Sequence, residues 1–220
     1  PRVAVISTGD ELVELGQTPG PGQIVNSNLH FLRTRLFECG CNPICLGIGA
    51  DDQKTLGQLI DQAIDADLII TTGGVSVGEK DHVQATLQNR NFEKIFWKVA
   101  IKPGKPLLFG KLEAKHFFGL PGNPAATAAT FELFVKPALK RLSGQVDVLP
   151  EKRMATLTHE VMGDGKRQAF LWCSLQWDKS EYRVTVSQRQ GSGQNRCLAS
   201  KNAMLAVPTH VNSLYSGDQV

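Results

Sequence analysis

The chain has 220 residues; 41% are apolar, and 24 basic against 21 acidic side chains leave a formal charge of +3. That composition excludes collagen-like, low-complexity and disordered chains. The small charge excess excludes a dedicated nucleic-acid binder, while leaving room for a local anion site. No apolar run approaches the ~20 residues of a membrane-spanning helix. Glycine is abundant, at 21 residues, and much of the proline stands beside it. The chain opens at Pro1, without a methionine or a signal-type segment, and enters a strand at once, as expected of a piece cut from a longer protein. Five cysteines, an odd number without a secretory signal, predict reduced thiols and a cytoplasmic setting. Cys39, Cys41 and Cys45 lie close together, but no second cluster completes four zinc ligands, so structural thiols are expected.

Residues 3–7 read as a strand buried on both faces. After turn-rich residues 16–23, Asn26 or Ser27 is placed to cap a helix running to about Cys39, and Gly40 stops it. Residues 43–49 form a second apolar strand. Asp51 and Asp52 open a helix with Leu56, Leu59, Ile60, Ala63 and Ile64 at helical spacing. Residues 67–71 are a third buried strand, which breaks into Gly73-Gly74. Residues 80–90 read as helical, and 95–100, 106–109 and 116–119 as short strands. A long helix is expected from Asn123 to about Leu142, ended by Ser143-Gly144. Apolar strands alternating with helices predict an α/β fold, a three-layer, mostly parallel sheet, over residues 1–146. Beyond Val146 the helical periodicity disappears. Residues 153–157, 169–176, 182–187 and 203–207 read as strands between polar turns, a small β domain spanning 147–220.

In parallel sheets ligands bind at the carboxyl ends of strands, and four glycine- or proline-rich turns follow predicted strands here. In Thr72-Gly73-Gly74-Val75-Ser76-Val77-Gly78 the glycines bring backbone N–H groups close enough to cradle a phosphate. Gly73 and Gly78 have P-loop spacing, but Glu79 stands where that motif needs lysine, so a Walker A site is rejected. In Gly119-Leu120-Pro121-Gly122-Asn123-Pro124, Asn123 is a good N-cap and Pro124 suits the first helical position, presenting free N–H groups to an anion. Lys102-Pro103-Gly104-Lys105-Pro106 puts two lysines on a loop stiffened by prolines, suited to phosphate or another oxyanion. Thr8-Gly9-Asp10-Glu11 places two carboxylates at the end of the first strand. With Asp81 they suit Mg²⁺, which takes one or two carboxylates plus substrate phosphates. The residues alone therefore predict a site for a phosphorylated, nucleotide-like ligand with a divalent cation.

Taken together, in order and at these distances, the four turns resemble the molybdopterin molybdotransferase family, the bacterial MoeA proteins and the gephyrin E-domain. The likeness covers residues 1 to about 145 closely. The remainder is similar to the family's C-terminal β-barrel domain, with Gln190-Gly191-Ser192-Gly193 as its best anchor. The resemblance implies insertion of molybdate into adenylylated molybdopterin, with AMP released. Asp10, Glu11 and Asp81 would serve Mg²⁺, and Asp10 and Asp81 would alternatively polarise the phosphoanhydride. Lys102 and Lys105 would hold molybdate or phosphate. Thr8, Gly9, Gly73, Gly74, Val75, Ser76 and Gly78 would cradle the pterin phosphate or nucleotide. Pro121, Gly122, Asn123 and Pro124 would complete the anion pocket, joined by Ser192 from the second domain. The resemblance also implies a homodimer, with the site shared between subunits, two further domains before Pro1, and a molybdopterin adenylyltransferase upstream. Where the family has an acidic-Phe-x-Arg pattern, this chain has Ala169-Phe170-Leu171-Trp172, and Arg167 is the one basic residue expected to replace the missing function. Two other readings stand beside this one: the related adenylyltransferase, which would not carry the two-lysine loop and trailing barrel, and a gephyrin-like scaffold that binds receptor peptides.

Overall fold

A computed structural model describes residues 1–75, 82–187, 190–191, 193 and 195–220. The chain runs through β1 (Arg2–Thr8), the short pair β2 (Leu12–Val13) and β3 (Ile24–Val25), α1 (Ser27–Glu38), β4 (Asn42–Gly49), α2 (Gln53–Ala63) and β5 (Leu68–Thr72). It continues with α3 (His82–Gln88), β6 (Phe92–Trp97), β7 (Ile101–Lys102), β8 (Leu108–Leu112), β9 (Lys115–Leu120), α4 (Pro124–Thr130), a π-helical turn (Phe131–Val135) and α5 (Lys136–Leu142). Then follow β10 (Thr156–Leu157), β11 (Val161–Met162), β12 (Gln168–Asp178), β13 (Glu181–Val186), a 3₁₀ turn (Asn195–Cys197), β14 (Ala203–Val207) and β15 (Ser213–Leu214).

The first sheet has the order β4-β1-β5-β9-β8-β6. Its first four strands are mutually parallel; β8 is antiparallel to β9, and β6, antiparallel to β8, runs with the first four. Because side chains alternate across a strand, β1 sends Val3 and Val5 to one face and Ala4 and Ile6 to the other. The first pair packs with Leu29, Leu32 and Leu36 of α1 and with Phe131, Val135 and Leu139 of the α4–α5 rod. The second pair packs with Leu56, Ile60 and Ala63 of α2 and with Val83 and Leu87 of α3. The three-layer, mostly parallel α/β arrangement follows directly. Each fully buried Leu or Ile adds ~1.5–3 kcal/mol over an exposed one. Helix starts are fixed by side chains: Asn26 Oδ1 accepts from Leu29 N–H at 3.3 Å, and Asp52 Oδ1 from Thr55 N–H at 2.8 Å.

The long helix expected from Asn123 is one rod interrupted by the π turn, in which Lys136 N–H reaches back five residues to Phe131 O. Pro137 is the physical reason. A proline inside a helix has no N–H and its ring clashes with the carbonyl four residues before it, and a wider turn relieves this. Residues 95–100, expected as one strand, divide between β6 and the approach to β7.

The strands after residue 155 form a second sheet, β10-β13-β12-β14, with its own core of Leu157, Ala169, Leu171, Val184, Leu205 and Val207. A separate ladder joins β11 to β15. Among the described residues the strands of this small β domain fall into these two ladders. One strand crosses between the two sheets: β7, from the lysine loop, pairs in parallel with the start of β12, Ile101 opposite Gln168 and Lys102 opposite Ala169. Gln168 N–H also donates to Ala100 O at 3.1 Å.

Candidate functional site

The carboxyl ends of β1, β5 and β9 lie side by side, and their turns are locked together. Gly73 has φ +92°, and a Cβ there would stand 2.3 Å from Thr8 O. Only glycine lets the second turn lie against the first. Gly73 N–H donates to Leu120 O at 3.1 Å, and a Cβ on Gly122 would be 3.4 Å from Gly73 Cα. Thr72 Oγ1 and Thr127 Oγ1 both donate to Pro121 O, at 3.2 and 2.7 Å. Three of the four turns, carrying Thr8, Gly9, Gly73, Gly74, Pro121, Gly122, Asn123 and Pro124, are thus brought together at one edge of the sheet. Val75 is 1% exposed and packs in the core beneath, so only its backbone is left for a ligand. Ser76, Gly78, Asp81 and Ser192 lie outside the described residues.

One residue the motifs did not single out ties this edge together. Asn28 Nδ2, in the first turn of α1, donates to Thr72 Oγ1 at 3.0 Å and to Gly122 O at 2.7 Å. The Asn26-Ser27-Asn28 run was its only signal, and there it reads as a helix start. Three buried polar side-chain atoms at the strand ends and the α1 cap lack a partner: Thr8 Oγ1, Thr71 Oγ1 and Asn26 Nδ2. Such atoms are uncommon in folded interiors. Asn123 takes the cap position of α4 through its backbone, its carbonyl accepting from Ala126 and Thr127 N–H at 3.0 and 2.9 Å. Its side chain does not cap the helix. It turns toward the second unit, where a Cβ on Gly193 would be 3.8 Å from Asn123 Oδ1.

The lysine loop sits on the far side of the same edge. It is closed at its base by Val99 N–H donating to Lys105 O at 3.0 Å. Gly104, at φ +110°, presses against α4, where a Cβ would meet Thr130 Cγ2 at 2.6 Å. Between this loop, Pro121 and Asn123, and the second sheet opens a cleft of about 810 Å³. Its far wall is formed by His159, Glu160, Asp164, Arg167 and Gln190. Lys102 Nζ bonds Asp164 Oδ1 at 2.8 Å, and Arg167 bonds both oxygens of that carboxylate, at 3.0 and 3.1 Å. The Arg167 guanidinium, with the Lys102 ammonium, holds the Asp164 carboxyl far below the ordinary carboxylate range. Arg167 thus faces the same cleft as the lysines. Trp172 does not line it, and its backbone is pinned by Gln190 at 3.2 and 3.0 Å.

Asp10 and Glu11 are exposed at the end of β1. Asp10 Oδ1 accepts from Asp51 N–H at 3.0 Å. The Glu11 carboxylate folds back over Gly9, 2.5 Å from where a Cβ would stand. Among the described residues no cluster of three or more metal-ligating side chains occurs.

A family model described as a probable molybdopterin binding domain matches residues 4–141, and one described as the MoeA C-terminal region (domain IV) matches residues 154–220. The chain is 38% identical to the molybdopterin molybdenumtransferase of Nostoc sp. PCC 7120, covering all of this chain and 52% of that protein. It is 46% identical to that of Haemophilus influenzae over 145 residues, 66% of this chain and 36% of the relative. A solved MoeA structure from Pyrococcus horikoshii superposes over the whole chain with a TM-score of 0.85 at 32% identity, and 53% of that structure is covered. The chain therefore spans about half the length of the full-length relatives it matches. With its locked glycine turns, its two-lysine cleft and these likenesses, the chain belongs to the molybdopterin molybdenumtransferase (MoeA) family.

Proposed function

We propose that this chain is the ligand-binding half of a molybdopterin molybdenumtransferase acting in molybdenum cofactor biosynthesis, with residues 1–146 as the molybdopterin-binding domain and 147–220 as the C-terminal domain. The observation that carries this reading is the cleft, where the lysine loop, the Pro121–Pro124 turn and Arg167 converge. In this reading Lys102 and Lys105 hold molybdate beside the phosphoanhydride of adenylylated molybdopterin. The Gly74 N–H and backbone N–H groups at the α4 start neutralise phosphate charge, while the Gly73 N–H holds the turn on Leu120 O. Molybdenum is inserted and AMP leaves. The chain's contribution is positioning and preorganised electrostatics, which supply most of the catalysis in transfers between oxyanions. Asp10 and Glu11, with Asp81, would hold Mg²⁺, which when bound offsets phosphate charge. The same reading places the protein in the cytoplasm as a homodimer that receives its substrate from an adenylyltransferase.

Binding of molybdate to the purified chain tests the core of this. A charge-assisted bond from an unpaired lysine is worth ~1.5–3 kcal/mol, so the K102A/K105A double variant should lose at least ~tenfold in affinity. Unchanged affinity rejects the assignment. In the full-length protein, AMP release from adenylylated molybdopterin should depend on both molybdate and Mg²⁺.

A further inference from the structure

The two lysines of the loop are not equivalent. Lys105 is exposed and, among the described residues, has no acidic partner. Lys102 is already engaged by Asp164, whose side chain is only 10% exposed. That carboxylate collects three donors, Lys102 Nζ, Arg167 Nε and Arg167 Nη2. Arg167 alone supplies one donor to each of its oxygens. Lys102 is the surplus donor, and its side chain is 53% exposed to the cleft solvent. If it leaves, Asp164 stays paired and buried with no uncompensated charge.

We propose that Asp164 is an internal stand-in for the tetrahedral oxyanion, taking the place on Lys102 that the anion takes when bound and so positioning that lysine and setting the cleft's affinity. This rests on the oxyanion reading of the cleft given above. On binding, Lys102 exchanges one oxyanion for another, carboxylate for substrate. The net gain from this lysine is small, because a charge-assisted bond is lost as one is made. Lys105 gives up no such bond and carries most of the net attraction. The arrangement keeps Lys102 aimed into the cleft in the empty protein. It also keeps simple dianions from saturating the site, since the Asp164 charge repels whatever approaches Lys102.

Asp164→Asn keeps the size of the side chain and an acceptor oxygen for Lys102 while removing the charge. The D164N chain should bind molybdate, and sulfate as a second tetrahedral dianion, about tenfold more tightly. The gain should shrink as ionic strength is raised and be smaller when K102A is added to D164N, the remainder coming from lost repulsion and from the freed Arg167. Asp164→Ala should change affinity in the same direction. Wild-type affinity or weaker in folded D164N, with K102A still lowering affinity in the parent, overturns the proposal and leaves the oxyanion reading standing. If K102A and K105A are both without effect in the parent, that reading falls and the proposal falls with it. A structure of the unsubstituted chain with molybdate decides the matter without any variant. Lys102 Nζ should bond the anion and be out of reach of Asp164, and Lys102 still on Asp164 beside a bound anion refutes the exchange.

Discussion

Replacing Gly73 by alanine probes the contact on which the whole site depends. The new Cβ would lie 2.3 Å from Thr8 O and 2.8 Å from Thr8 Oγ1, whereas carbon–oxygen contacts settle at about 3.3 Å or more. The turn must therefore retreat from β1 by about 1 Å. The retreat strains the Gly73 N–H bond to Leu120 O, 3.1 Å long. Holding a non-glycine residue at φ +92° adds ~1–3 kcal/mol, and the forced repacking adds ~1–3 kcal/mol more. A loss of about 2–6 kcal/mol is expected overall. For a chain of this size each kcal/mol lowers the melting temperature by ~2–4 °C. Thermal unfolding followed by circular dichroism should thus show a drop of about 4–24 °C. Molybdopterin affinity should fall too, since the displaced N–H groups no longer face the ligand. A melting temperature within about a degree of the parent, with affinity unchanged, would refute the claim that the two turns are in obligatory contact.

Asn28→Ala removes two hydrogen bonds that join the β5 and β9 turns and should cost ~1–3 kcal/mol in urea unfolding. It should weaken molybdopterin binding more than molybdate binding, because the lysine loop is untouched. The Asp164 carboxyl titrates well below the usual range because of Arg167 and Lys102, so its stabilising contribution is complete above the ordinary aspartate pKa of ~3.9 and is lost only as pH falls through the lowered value. The difference in melting temperature between the parent and D164N should hold constant from about pH 8 to 5 and shrink only in stronger acid. A difference already fading at pH 6 would contradict the ion cluster. Burial pushes the Cys173 thiol up to about 11, and Cys41 and Cys197 are also buried while Cys45 is exposed. Alkylation at pH 8 should label Cys45 first and reach Cys173 only on unfolding. Equal rates for the two would rule this out.

Much of the first sheet was legible because its signals are local. Val3 to Ile6 alternate between two covered faces, Asp52 caps α2, and the helical spacing of Leu56, Ile60 and Ala63 is that of a buried stripe. The π turn was not legible, since Pro137 announces a disturbance but not which backbone bond gives way. Nor could β7 be seen: two residues carry no periodicity, and their partner lies more than sixty positions later. The glycine turns were legible individually by composition. Their mutual contact, Thr8 against Gly73, is a product of strand order. Asn28 and Asp164 escaped for the same reason, because each acts on a residue far away in sequence. Arg167 stands out in the sequence as the basic residue able to replace the family's missing arginine, and only the fold shows the acid it shares with Lys102.

The pairing of β7 with β12 bears on how such a protein can be inherited. The lysine loop is encoded in the first half of the chain, yet its backbone is held by the second half. The loop's shape is thus joint property. A recombination event that supplied a different C-terminal module would need to bring a strand edge in the same register, together with an acid three residues before an arginine, or the lysines would lose their aim. The two halves are separable as sequences but bound to one another as a working pair, and substitutions along that shared edge should be accepted only in matched sets.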